Sequence, residues 1–136
     1  DALDFDEELR EQADILIADL PCSGLGIIGK KNDIKYRLSK EQLDELVKLQ
    51  QDILLVVKDY VKSGGTLIYS TCTVNLDENI NNAKWFVEHS EFEFDSIEEY
   101  VTTALECKTG KEGYINLVPG QVKCDGFFVA RFKKMK

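Results

Sequence analysis

Short apolar runs bounded by Gly, Pro and Ser alternate along this chain with segments of helical periodicity. One run covers residues 13–19, a second covers 66–69, and a last, strongly hydrophobic run covers 125–132. Apolar, β-branched runs of this length are typical of parallel strands that are covered on both faces. We therefore predict buried strands at the first two runs, a final strand at the third, and a further strand at 92–97.

A long amphipathic helix is predicted between the first two strands. Ser39 and Gln42 have the spacing of a capping box, and apolar residues then recur at helical spacing as far as Val61. The Ser63-Gly64-Gly65 segment is expected to end this helix, because glycine favours the conformations that follow a helix C-terminus. The second strand is expected to begin directly afterwards.

A second helix is predicted after the strand at 66–69. Asn75 and Glu78 suggest its capped start, and apolar residues at helical spacing carry it to about His89. The apolar residues of the segment 98–113 follow neither the helical period nor the strand period clearly. Strands that alternate with helices indicate βαβ units, so we expect one α/β domain over residues 1–136 with a mostly parallel sheet.

Composition narrows the class of protein. The chain has 136 residues with 43% hydrophobic content, four scattered cysteines and one histidine. A core of this size supports one domain, and no apolar run approaches the roughly 20 residues that span a bilayer. We therefore expect a cytoplasmic protein without a membrane partner. The cysteine spacing fits neither a disulfide scaffold nor a zinc site, so no metal is predicted.

The charge distribution gives a mixed indication about nucleic acid. A net charge of −8 argues against phosphate binding, which Lys and Arg drive by releasing counterions. The segment 30–40 is nevertheless basic, with Asp33 as its one acid. A solvated loop explains this segment as well as an RNA contact does. The candidate RNA-binding residues are Lys30, Lys31, Lys35, Tyr36 and Arg37.

Two cysteines follow directly on the predicted strands. Cys22 lies in Pro21-Cys22-Ser23-Gly24, and Cys72 lies in Ser70-Thr71-Cys72-Thr73. Ligands bind beyond the carboxyl ends of strands in open α/β sheets, so both thiols are expected at this edge. Asp19 closes the first strand at the same place. The alternatives are an inert, buried role for the cysteines and a turn-capping role for Asp19.

Several motifs occur in a fixed order over nearly the whole chain. The motifs are Asp19-Leu20-Pro21-Cys22-Ser23-Gly24-Leu25-Gly26, Asp33-Ile34-Lys35-Tyr36, residues 64–73, Glu78-Asn79 and Asp125-Gly126-Phe127-Phe128. Together they resemble the RNA (cytosine-5) methyltransferases of the bacterial Sun/RsmB type, which act on small-subunit (16S) ribosomal RNA. The resemblance implies a Rossmann-like class I methyltransferase fold that uses S-adenosylmethionine.

The same resemblance implies roles for individual residues. Cys72 would attack C6 of the target cytosine as a thiolate, which makes C5 nucleophilic enough to accept a methyl group. Asp19 would supply or share a proton at N3. Cys22 would help to remove the C5 proton or to release the product from Cys72. Asp1, Asp19 and Pro21 would contact S-adenosylmethionine.

One departure from the family pattern concerns the methyl donor. The Gly-rich turn that normally holds the donor is absent, so residues 1–136 are expected to be the C-terminal part of a catalytic domain and inactive alone. The strand at 13–19 would then have an exposed edge able to support a homodimer. Two other functions remain: an inactive α/β module that binds RNA or protein, and a thiol hydrolase. The hydrolase would need a histidine base, and only His89 is present.

Overall fold

The structure, a computed structural model, describes residues 2–27, 38–101, 108–121 and 123–136. Within these residues, five strands form one sheet, and two α-helices connect strands in the predicted βαβ order. The α/β class is confirmed. The strands are β1 (Ala13–Asp19), β2 (Val61–Thr71), β3 (Phe92–Phe94), β4 (Tyr114–Leu117) and β5 (Phe127–Lys134), and the helices are α1 (Lys40–Val57) and α2 (Asn82–Glu88).

The sheet has the order β1-β2-β5-β3, and β4 also pairs with β5. β1 and β2 are parallel, whereas β5 is antiparallel to β2, β3 and β4. The prediction of a mostly parallel sheet is therefore wrong for the pairing of the described strands. The cause is the position of β5, which returns along the sheet in the opposite direction and separates β2 from β3.

Helix α1 begins as predicted and ends earlier. Ser39 and Gln42 form both hydrogen bonds of the capping box. After Val57, a 3-10 turn leads directly to Val61, which is fully buried and pairs with Ala13. The Ser63-Gly64-Gly65 segment therefore lies inside β2, where the register with β1 shifts. Gly64 has φ 72°, a left-handed conformation that glycine adopts without strain.

The core lies between the two helices and one face of the sheet. Its buried members include Leu54 of α1, Phe86 of α2 and Tyr69 of β2. On β1, the side chains of Ile15 and Ile17 are 67% and 71% exposed. The prediction that this strand is covered on both faces is wrong within the described residues, because both helices contribute to the core on the opposite face of the sheet.

The described helices offer no membrane span, since none combines the necessary length with sufficient apolar character.

Candidate active site

The two thiols predicted at one edge of the sheet are in contact. Cys22 follows the end of β1, and Cys72 follows the end of β2. Their Sγ atoms are 3.1 Å apart, and the backbone N–H of Cys72 donates to Cys22 Sγ at 3.3 Å. Both residues are partly buried, so the pair can be reached from outside the protein. The predicted convergence of Cys22 and Cys72 is confirmed.

The surroundings favour the protonated form of Cys22. Burial, followed by the hydrogen bond with Cys72, raises the pKa of the Cys22 thiol from 9.0 to about 12. Cys22 therefore keeps its proton at neutral pH. At 3.1 Å, this proton can be donated to the sulfur of Cys72 whenever that sulfur carries negative charge.

Asp19 and Pro21 lie at the same edge of the sheet, and both are exposed. Asp19 pairs with Ser70 across β1 and β2, and the Ser70 hydroxyl donates to Asp19 Oδ1 at 2.8 Å. The carbonyl oxygen of Pro21 accepts a hydrogen bond from Gln50 Nε2 at 2.8 Å. The edge thus combines a pair of thiols with an oriented, accessible carboxylate, which suits nucleophilic attack assisted by proton transfer.

A buried carboxylate holds the turn that carries Cys22. Glu78 is fully buried, and Oε1 accepts from Ser23 N at 2.8 Å and from Gln50 Nε2 at 3.0 Å. Glu78 Oε2 accepts from Ser23 Oγ at 2.6 Å and from Asn75 Nδ2 at 3.0 Å. These four bonds connect the Cys22 turn with α1 and with the segment after Cys72. Sequence reasoning missed this role of Glu78.

Only half of the predicted capped start at Asn75 and Glu78 is present. A π-helical turn at Asp77–Asn81 precedes α2, and its N-cap, Leu76, makes no side-chain cap hydrogen bond. Asn75 Oδ1 accepts from the backbone N–H of Asp77 at 3.2 Å, as a capping side chain does. The reciprocal bond to Glu78 is not formed, because the backbone N–H of Asn75 donates to Thr73 Oγ1 at 3.2 Å.

Gly26 and Gly126 allow the turn after Cys22, the segment of Cys72 and the segment before β5 to approach one another closely. Gly26 N donates to the Cys72 carbonyl at 3.1 Å, and Gly126 N donates to the Gly26 carbonyl at 2.8 Å. A Cβ atom on Gly26 would lie 2.3 Å from Gly126 O and 2.7 Å from Cys72 O. The backbone of Gly26 therefore packs against protein backbone, and no larger residue fits without movement of the site.

Some predicted site residues fall outside the part of the chain that the structure describes. The methyl-donor candidate Asp1 is among them, and so are all the RNA-binding candidates. The latter are Lys30, Lys31, Lys35, Tyr36 and Arg37. Within the described ranges, no group of three or more His, Cys, Asp or Glu residues could hold a metal ion.

Comparisons with known proteins show the family of this chain. A family model for the 16S rRNA methyltransferase RsmB/F matches residues 1–133. Ribosomal RNA small subunit methyltransferase F of Aeromonas hydrophila is 37% identical over an alignment of 136 positions that covers 98% of this chain. The probable ribosomal RNA small subunit methyltransferase B of Bacillus subtilis is 36% identical over 127 residues, which cover 92% of this chain.

A solved structure shows the same arrangement of elements. The protein PH0851 superimposes with a TM-score of 0.80 at 30% identity, over 92% of this chain and 27% of its own. The chain also spans only 28% of the length of the Aeromonas and Bacillus relatives. Both the family model and the pairwise similarities extend over nearly all of the chain. The chain therefore belongs to the 16S rRNA methyltransferase RsmB/F family, and its sheet and helices form part of a Rossmann-like class I methyltransferase fold.

Proposed function

We propose that this chain is the C-terminal part of the catalytic domain of an RNA cytosine-5 methyltransferase that uses S-adenosylmethionine and acts on 16S ribosomal RNA. The observation that carries the proposal is the 3.1 Å contact between Cys22 Sγ and Cys72 Sγ at the carboxyl ends of two parallel strands. Cytosine C5 is a poor nucleophile, so its methylation requires a group that first adds to the ring. The thiol pair supplies such a group together with a proton donor.

The first step uses Cys72 and Asp19. The thiolate of Cys72 forms a bond to C6 of the cytosine, and Asp19 shares a proton with N3 as negative charge develops on the ring. Electron density then accumulates at C5. The hydrogen bond from Ser70 to Oδ1 fixes the orientation of the Asp19 carboxyl group, and this orientation also sets the position of its second oxygen. To reach this site, the base must leave its stack.

The residues at this edge fit a methyl donor that carries positive charge. Asp19 provides an exposed carboxylate beside exposed Pro21, at the carboxyl ends of β1 and β2 where open α/β sheets bind ligands. We infer that these two residues, with Asp1, hold S-adenosylmethionine, which supplies the methyl group to C5 when it is bound. Gln50 orients this segment through its bond to the Pro21 carbonyl.

The final step restores the free thiol. The C5 proton passes to solvent, its electron pair restores the double bond between C5 and C6, the bond between C6 and Cys72 breaks, and the sulfur of Cys72 leaves with negative charge, while N3 returns the shared proton to Asp19. Of the two roles expected for Cys22, its raised pKa favours release of the product, because a protonated Cys22 can donate to Cys72 Sγ at 3.1 Å. Without this donor, the covalent intermediate should persist.

The methylation of 16S RNA in cells tests the proposal. Cells produce the intact protein that carries this chain, either unchanged or as Cys72→Ser or Cys124→Ser, and their RNA is sequenced after bisulfite conversion. We expect cytosines of 16S RNA to be protected by the unchanged protein and by Cys124→Ser, because Cys124 is an exposed cysteine outside the thiol pair. Cys72→Ser should abolish the protection. Full protection by Cys72→Ser would contradict the role of Cys72 as the nucleophile, whereas no protection by the unchanged protein would favour the inactive binding module.

A further inference from the structure

The contact between the two thiols has a chemical consequence that is independent of methyl transfer. The Sγ atoms of Cys22 and Cys72 are 3.1 Å apart, whereas a disulfide bond is about 2.05 Å long. An approach of about 1 Å therefore separates the dithiol from a disulfide. Both residues are partly exposed, so a small oxidant can reach them.

The backbone around both cysteines is held in place by hydrogen bonds. The Cys72 carbonyl accepts from Gly26, and the turn of Cys22 is held through Ser23 by Glu78. Because 50 residues separate the two cysteines along the chain, only the folded structure brings them together. The fold thus gives the two thiols a high effective concentration, which favours reaction within the pair over reaction between chains.

We propose that Cys22 and Cys72 form a site of reversible oxidation, which takes a peroxide as oxidant and a dithiol as reductant. The Cys72 thiolate attacks one oxygen of hydrogen peroxide, the O–O bond breaks, and Cys72 becomes a sulfenic acid while hydroxide leaves. The sulfur of Cys22 then attacks the sulfur of Cys72. The leaving hydroxyl takes the Cys22 proton, so one disulfide and one water form.

The order of these two steps follows from the surroundings of the thiols. Cys22 keeps its proton, because burial raises its pKa, and the thiolate is the form that peroxide oxidises. Cys72 is therefore oxidised first and Cys22 resolves the sulfenic acid. The disulfide protects Cys72 against further, irreversible oxidation to sulfinic acid. A dithiol reductant restores both thiols by exchange, and becomes a disulfide itself.

Peptide mapping of the 136-residue chain tests this site directly. The chain is treated with one equivalent of hydrogen peroxide, its remaining thiols are alkylated, and the digest is analysed by mass spectrometry without reduction. We expect a cross-linked peptide that joins Cys22 to Cys72, lighter than the two separate peptides by two hydrogen atoms, with Cys124 still alkylated. Dithiothreitol should remove the cross-link completely.

Two variants separate this reaction from general oxidation. Cys124→Ser should form the same cross-link at an unchanged rate, because Cys124 is exposed and is not part of the pair. Cys22→Ser should form no intramolecular cross-link and should accumulate a Cys72 sulfenic acid that dimedone labels. Oxidation of Cys22 and Cys72 to separate sulfinic acids in the unchanged chain, or disulfides between chains only, would overturn the proposal. The assay contains neither RNA nor methyl donor, so its result is independent of the proposed function.

Discussion

At the scale of single residues, the geometry of the site depends most on Glu78. Its carboxylate is fully buried, and it accepts four hydrogen bonds from uncharged donors, two of them from Ser23 beside Cys22. A buried donor that loses its acceptor costs about 1–3 kcal/mol. Glu78 therefore couples the stability of the domain to the position of the Cys22 thiol, which contacts Cys72.

Replacement of Glu78 should be strongly destabilising. In Glu78→Ala, the donors on Ser23, Gln50 and Asn75 lose their acceptor, so we expect the free energy of unfolding to fall by more than about 3 kcal/mol. Glu78→Gln keeps one acceptor oxygen, so its free energy of unfolding should fall by less than that of Glu78→Ala. Urea denaturation followed by circular dichroism measures the change. Glu88→Ala, an exposed glutamate on α2, is the matched control, and an equal effect of both alanine variants would contradict this role.

At the scale of elements, the sequence predicts the bounds of a helix or strand correctly where local contacts set those bounds. The capping box of Ser39 and Gln42 predicts the start of α1, and the apolar run predicts β1 from Ala13 to Asp19. The end of α1 depends instead on the pairing of Val61 with Ala13, a contact between distant segments. β4 was missed because this short strand forms only against β5.

In the candidate site, too, local signals predict what depends on local contacts and miss what depends on contacts between distant segments. The motifs at the two strand ends were enough to place Cys22 and Cys72 together, because parallel strands end at the same edge of a sheet. Glu78 was interpreted as a helix cap because its main partner, Ser23, lies 55 residues away. The close approach at Gly26 depends on the backbone of Gly126, which lies far along the chain, so no local signal indicates it.

The contact between the Cys22 turn and the segment before β5 can be tested with one methyl group. In Gly26→Ala, the new Cβ meets the carbonyl oxygens of Gly126 and Cys72, so we expect a loss of about 1–3 kcal/mol in the free energy of unfolding. Gly110→Ala is the control for a milder contact, since its Cβ would lie 3.3 Å from Glu98 Cα and requires a shift of only a few tenths of an ångström. If thermal and urea denaturation show Gly26→Ala to be as stable as this control, the close packing is not rigid in solution.

At the scale of the whole molecule, one face of the sheet leaves apolar side chains exposed beside the strand edge at β1. Ile15 and Ile17 are both more than two-thirds exposed on β1, which is an edge strand of the described sheet. Edge strands with apolar side chains promote pairing between chains. This surface adjoins a groove of about 410 Å³ whose lining includes Ile68 and Val129.

We predict that the isolated chain forms homodimers through β1. The double variant Ile15→Thr/Ile17→Thr should shift the chain toward the monomer, because threonine keeps the strand propensity and removes apolar surface. Leu76→Thr removes an apolar side chain that is 55% exposed elsewhere and should leave association unchanged. Light scattering over a range of protein concentrations provides the measurement. A strictly monomeric unchanged chain at high concentration would contradict the prediction.

The covalent complex with RNA tests the central claim most directly. The intact protein that carries this chain is incubated with 16S RNA and S-adenosylmethionine, and the products are separated under denaturing conditions. Cys22→Ser lacks the thiol that lies 3.1 Å from Cys72 Sγ and that we propose as the proton donor, so we expect it to accumulate a protein–RNA complex that maps to Cys72 by mass spectrometry. The double variant Cys22→Ser/Cys72→Ser should form none. A complex of equal yield in the double variant, or one attached to a residue other than Cys72, would contradict the assignment of Cys72 as the nucleophile.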